Sequence, residues 1–206
     1  KNIALKLSNG VKYLLSKNKV DLITGNAKFI NKNNLLVQKT GLDENINISS
    51  KNIVIATGAK PRDVNNLKVD GKVVWNYRNA LRATKIPDKL IVVGSGAIGM
   101  EFASFYNSIG TKVFVIEMQD RILPSEDLEV SKFAMKQFEK KGINFFLKSN
   151  FEILEKTKDQ IYISVLNDNK QIKISAPHIL VAVGVKGFTE GLGLDSIGVN
   201  IKSNSI

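Results

Sequence analysis

The chain has 206 residues, 43% of them hydrophobic, which is enough to bury a sizeable core and too apolar for a disordered polymer. Its formal charge of +11 invites a nucleic-acid role, but the lysines are scattered singly or in pairs, and no stretch interleaves a basic block with aromatics for base stacking. With no Cys it holds no disulfide framework, thiolate metal site or dithiol redox centre, and no membrane-spanning run or export signal is legible, so it reads as soluble.

In chain order, Leu5, Leu7, Val11, Leu14 and Leu15 recur at roughly helical spacing and predict a helix through Lys17, with Gly10 as an interruption. Strands are predicted at 20–23, 27–30 and 35–38, separated by Gly25-Asn26 and the Asn/Lys cluster 31–34, as a small antiparallel meander. Residues 52–56 run apolar without alternation, the pattern of a strand covered on both faces, and end in Thr57-Gly58-Ala59-Lys60-Pro61. Residues 63–88 form a polar connector with a short helix before Pro87.

From Lys89 the period switches between strand and helix. Strand 90–93, helix 98–109, strand 112–116, helix 127–140 and strand 143–147 make a βαβαβ unit, half of a doubly wound parallel sheet. Strands near 151–154, 161–166 and 172–174, with turns at Lys158-Asp159 and Asn167-Asp168-Asn169, read as an antiparallel insertion. A buried strand at 178–183 then ends at Gly184. His178, the only histidine, opens that strand without a partner histidine or cysteine and reads as solvated or capping. The expected fold class is α/β: a Rossmann-like doubly wound parallel sheet over 89–184 with an antiparallel β insertion, preceded by a meander-bearing segment over 1–62 and followed by a return segment, 185–206.

The chemistry concentrates at Gly94-Ser95-Gly96-Ala97-Ile98-Gly99, which follows the strand 90–93 and opens a helix, the setting a dinucleotide fingerprint needs. Gly94 permits the tight turn, Gly96 lets a pyrophosphate approach the backbone, and Gly99 lets helix and strand pack closely, while the helix N-terminus offers unpaired N–H groups to the phosphates. Glu117 ends the next strand 23 residues after Gly94, near the spacing of the carboxylate that accepts from the adenosine ribose hydroxyls. That carboxylate selects NAD, because a 2′-phosphate would meet a negative charge, and Met118 and Gln119 bring no cation. Arg121, near the turn before Pro124, reads as solvated. Glu101, in the first helical turn, fits either a dipole-favoured acid or a functional one.

These residues, together with 102–113 and Glu117-Met118-Gln119-Asp120-Arg121-Ile122-Leu123-Pro124 with Asp127, closely resemble the NAD domain of the dihydrolipoamide dehydrogenases, within the flavoprotein disulfide reductases. The Ala-Thr-Gly strand end of that family matches Ala56-Thr57-Gly58, and a second such strand ends at Ala182-Val183-Gly184. The resemblance implies an enzyme that reoxidises dihydrolipoamide on the acyltransferase of 2-oxo acid dehydrogenase complexes, passing electrons through a disulfide and FAD to NAD, as a homodimer in the cytoplasm or mitochondrial matrix. It implies further that this chain is an internal segment, with residues 1–62 the rear of an FAD domain, and inactive alone because the redox cysteines are absent. By resemblance Glu101 lies near the nicotinamide, Phe151 on the adenine side and Gly184 at the nicotinamide end, while Ala27, Thr57, Gly58 and Ala59 line FAD. Val185 and Gly187 stand where the family has Arg and Pro. The alternatives are another pyridine nucleotide-disulfide oxidoreductase or a non-enzymatic NAD-sensing module.

Overall fold

The computed structural model describes residues 2–167, 170–202 and 205–206. Asp168 and Asn169, placed in a turn by their sequence, lie outside the described residues. The chain clusters into two compact units, 1–58 with 187–206, and 59–186.

In the first unit, α1 (Asn2–Lys17) runs through Gly10 without a break. Strands β1 (Gly25–Asn31), β2 (Asn34–Lys39) and β3 (Asn45–Ser49) follow as an antiparallel sheet in that order. The meander therefore begins later than expected: residues 20–23 form no strand, and the third strand is 45–49, whose Asn-Ile-Asn-Ile-Ser alternation suits a half-covered surface. The first turn is tied by Asn31, whose Oδ1 accepts from the Asn33 N–H (3.0 Å) and the Asn34 side-chain amide (2.9 Å). Phe29, Leu192 and Leu194 form a small core, with Ile53 and Ile55 packed at its margin.

Residues 52–56 correct the expectation of a doubly covered strand. They form no strand, and Val54 is 88% exposed. β-branched residues favour extended backbone, yet a strand exists only when a neighbour accepts and donates its ladder bonds, and none does so among the described residues.

The second unit opens with β4 (Ala59–Pro61), β5 (Val74–Trp75) and the single turn α2 (Tyr77–Ala80), which Asn76 starts by accepting from the Arg78 and Asn79 N–H groups. Then come β6 (Lys89–Val93), α3 (Ala97–Ser108), β7 (Lys112–Ile116), α4 (Leu128–Lys140) and β8 (Asn144–Phe146). An antiparallel trio, β9 (Asn150–Lys156), β10 (Ile161–Asn167) and β11 (Lys170–Ala176), precedes β12 (His178–Val181), and β13 (Val185–Gly187) pairs with β4.

The central sheet is parallel, in the order β5-β12-β6-β7-β8. Beyond their first residues its strands are apolar, as strands covered on both faces are, and alternate residues serve different layers. Leu90 and Val92 join Met100, Ala103 and Tyr106 of α3, whereas Ile91 and Val93 join Ile161, Ile163 and Val165 of the antiparallel trio. At roughly 1.5–3 kcal/mol per fully buried aliphatic side chain, these two layers dominate the unit's stability. The parallel sheet with its antiparallel insertion matches the expected fold class. Successive strands run outward from β6 on one side while β12 returns on the other, so their carboxyl ends make the kind of crevice where open α/β sheets bind ligands.

Candidate functional site

The glycine loop connects β6 to α3 at that crevice. Gly94 adopts φ +97°, and a Cβ there would stand 2.6 Å from the Ala182 carbonyl oxygen, so loop and β12 approach at backbone distance. A Cβ on Gly99 would fall on the Gly94 carbonyl oxygen, which is why the helix can start directly against its own loop. Gly96 differs: nothing lies within 4 Å of a Cβ built there. It is the N-cap of α3, and no side chain caps the helix. Ala97 and Ile98 follow it along the cleft, their N–H groups among the first-turn donors that no intrahelical carbonyl can satisfy.

The cleft has a volume of about 1200 Å³. Among the residues singled out by sequence, Gly94, Gly96, Ala97, Ile98, Glu117, Phe151 and Gly184 line it together. Ser95 and Gly99 lie behind the wall, and both are buried. Glu101 is elsewhere: it is exposed on α3 and borders a smaller recess of about 560 Å³ with Leu81, Ile86, Phe102, Phe105 and Ile109. Of the four positions that resemble an FAD lining, Ala27, Thr57 and Gly58 belong to the first unit and Ala59 to the second. The Thr57 hydroxyl donates to the Phe188 carbonyl (2.6 Å).

Glu117 is 9% exposed and follows β7 directly. Its backbone is fixed from both sides, the N–H donating to Phe146 O (2.9 Å) and the carbonyl accepting from Ser149 N–H (3.0 Å). Its Oε2 accepts from the Ser95 N–H (2.8 Å) and the Ser95 hydroxyl (2.7 Å), and its Oε1 accepts from the Gln119 N–H (2.9 Å). A carboxylate next to a helix N-terminus and an open glycine backbone can accept from a ribose while the helix cradles a diphosphate, so the site fits a dinucleotide.

Sequence reasoning missed several walls of this cleft: Val64, Asn65, Ser125 and Asn150 arrive from segments far apart in the chain, with no local pattern to mark them. It missed Ser95 as a partner of Glu117 too. Two further readings are corrected. Arg121 is half-buried rather than solvated, one guanidinium nitrogen donating to Pro124 O (2.9 Å). His178 stacks on Trp75 with ring centres 3.7 Å apart, and its Nδ1 lies 2.8 Å from Lys72 O, so it is held between a ring and a carbonyl.

The second unit sets a cation beside Val185. The Arg62 N–H donates to Gly184 O (3.1 Å) and its Nε to Val185 O (3.0 Å).

Comparison with known proteins agrees with this architecture. The family described as pyridine nucleotide-disulphide oxidoreductase matches residues 2–206. The chain is 40% identical over 202 residues to the dihydrolipoyl dehydrogenase of Zymomonas mobilis, covering 98% of this chain and 43% of that protein. It is 40% identical over 211 residues to the dihydrolipoyl dehydrogenase of Rhizobium etli, covering 96% and 44% respectively. The crystal structure of LpdA from Mycobacterium tuberculosis superposes with a TM-score of 0.87 at 25% identity, covering 99% of this chain and 45% of that one. The chain thus spans less than half the length of these relatives, and it belongs to the pyridine nucleotide-disulphide oxidoreductase family.

Proposed function

We propose that this chain is the NAD-binding portion of a dihydrolipoyl dehydrogenase, the flavoenzyme that reoxidises the dihydrolipoamide of 2-oxo acid dehydrogenase complexes. The observation that carries the reading is the cleft itself, where the uncapped N-terminus of α3, the open Gly96 and the Glu117 carboxylate share one surface. Gly94, Gly96, Ala97 and Ile98 hold the pyrophosphate, with Ser95 and Gly99 shaping the loop behind them, Glu117 holds the adenosine ribose, Phe151 the adenine side and Gly184 the nicotinamide end. NAD supplies the hydride acceptor when bound. Glu101, off this cleft on α3, is by resemblance the acid near the nicotinamide, and Ala27, Thr57, Gly58 and Ala59 are the FAD-side positions. The whole enzyme works as a homodimer in the cytoplasm or mitochondrial matrix. No described helix is long and apolar enough to cross a membrane.

Titration calorimetry tests the cofactor choice. NADH is expected to bind at least about tenfold more tightly than NADPH, roughly 1.4 kcal/mol, since Glu117 repels a 2′-phosphate. Glu117→Ala narrows the preference mainly by weakening NADH. Equal affinities in the unaltered chain would remove the NAD assignment.

A further inference from the structure

Glu117 reaches the cleft with most of its hydrogen-bonding capacity already used. An ionised carboxylate has about four acceptor sites, two on each oxygen. Oε2 receives both the N–H and the hydroxyl of Ser95, and Oε1 receives the Gln119 N–H. One acceptor site is left, on Oε1. Ser95 itself is fully buried and fully engaged: its carbonyl accepts from the Leu123 N–H (2.8 Å), which ties the following loop to the glycine turn. Leu123 holds φ +47°, a conformation costly for a branched side chain, so the surrounding contacts impose it.

We propose that Ser95 is the positioning residue for cofactor specificity: it clamps the Glu117 carboxylate through Oε2, so that a single acceptor on Oε1 meets one hydroxyl of the adenosine ribose. This rests on the NAD reading of the cleft and deepens it. The residue between the first two glycines of the loop is then a specificity residue that acts through the carboxylate at the end of the next strand. A clamped carboxylate cannot swing aside, so the 2′-phosphate of NADP meets an immobile negative charge. Charge-assisted bonds of this kind are short and directional, which makes the clamp effective despite its single side chain.

The test is a double-mutant cycle on the 206-residue chain, reading NADH and NADPH affinities by calorimetry for the unaltered chain, Ser95→Ala, Glu117→Gln and the double variant, with thermal unfolding recorded for each. Ser95→Ala is expected to weaken NADH at least about threefold, with NADPH unchanged or tightened as the freed carboxylate swings aside, shrinking the preference, and to do nothing further in the Glu117→Gln background. Loss of both affinities in equal proportion, or an unchanged ratio, would make Ser95 merely structural and overturn the proposal while leaving the NAD reading intact. Binding of neither nucleotide by the unaltered chain would overturn both. A second measurement needs no Ser95 variant: 2′-deoxy-NADH and 3′-deoxy-NADH are titrated against the unaltered chain. One acceptor site predicts that only one of the two loses affinity, and equal losses in both would overturn the single-acceptor clamp.

Discussion

Glu117 and His178 show how much a side chain's role depends on what it meets. Glu117 stood out in the sequence by type and spacing alone, but its clamp to Ser95 is a tertiary contact across 22 positions. His178 stood out by being the only histidine, yet nothing near it in sequence marks Trp75 or the Lys72 carbonyl as its partners. The carbonyl can only accept, so Nδ1 carries the proton in the neutral ring. Burial holds the imidazole below its usual value of 6.5, against the opposing pull of the Lys72 carbonyl and the Asp70 and Asp88 carboxylates. A depressed histidine pKa means that the unfolded chain takes up a proton before the folded one does. Stability is therefore complete above about pH 6.5 and declines as pH falls from there through the lower folded value. Thermal unfolding between about pH 7.5 and pH 5.5 is expected to show a larger drop in Tm for the unaltered chain than for His178→Gln. Parallel pH profiles for the two would remove the linkage. Asp70 titrates outside this window. Burial raises its pKa, but N–H bonds from Val74 and Lys72 and the Lys156 ammonium outweigh that and leave it below 3.8.

At the scale of elements, periodicity read the second unit better than the first. The strands β6, β7 and β12 and the helices α3 and α4 lie close to where apolar spacing put them, because the strands are covered on both faces and each helix turns one apolar face to a single core layer, as their patterns anticipate. The first unit offers less. Helix α1 carries Leu5, Leu7, Val11 and Leu14, but only Leu15 is even half-buried, so its apolar spacing finds no core among the described residues. Isolated helices of about 12–15 residues are marginal in water, and most helical stability comes from packing. Amide hydrogen exchange on a dilute, monomeric sample is therefore expected to show α1 and residues 52–56 exchanging faster than β6, β7 and β12. Uniform high protection from Val20 to Val183 would mean that the front of the chain is stable by itself. Residues 52–56 carry the same lesson: their composition states a preference for strand, and only a neighbouring strand can realise it.

For the whole molecule, the proposed dihydrolipoyl dehydrogenase reading carries a chemical prediction. Electron passage from dihydrolipoamide needs a dithiol, and the chain has no Cys. Purified chain supplied with FAD and NAD is expected to show no oxidation of dihydrolipoamide above the no-protein control, read as NADH absorbance. Turnover that copurifies with this chain, free of intact enzyme, would overturn the proposal that the chain is the nucleotide-binding portion alone. By itself the sequence determined the α/β class, the parallel strands and the glycine loop with its acidic partner, because these depend on local period, turn geometry and fixed spacing. Tertiary structure alone decided that seven of the marked positions share one cleft while Glu101 borders another recess, and that Ser95 holds Glu117. It decided too that residues 52–56 go unpaired among the described residues. Those outcomes depend on which distant segments are brought within hydrogen-bonding or packing distance, and no window of the sequence contains both partners.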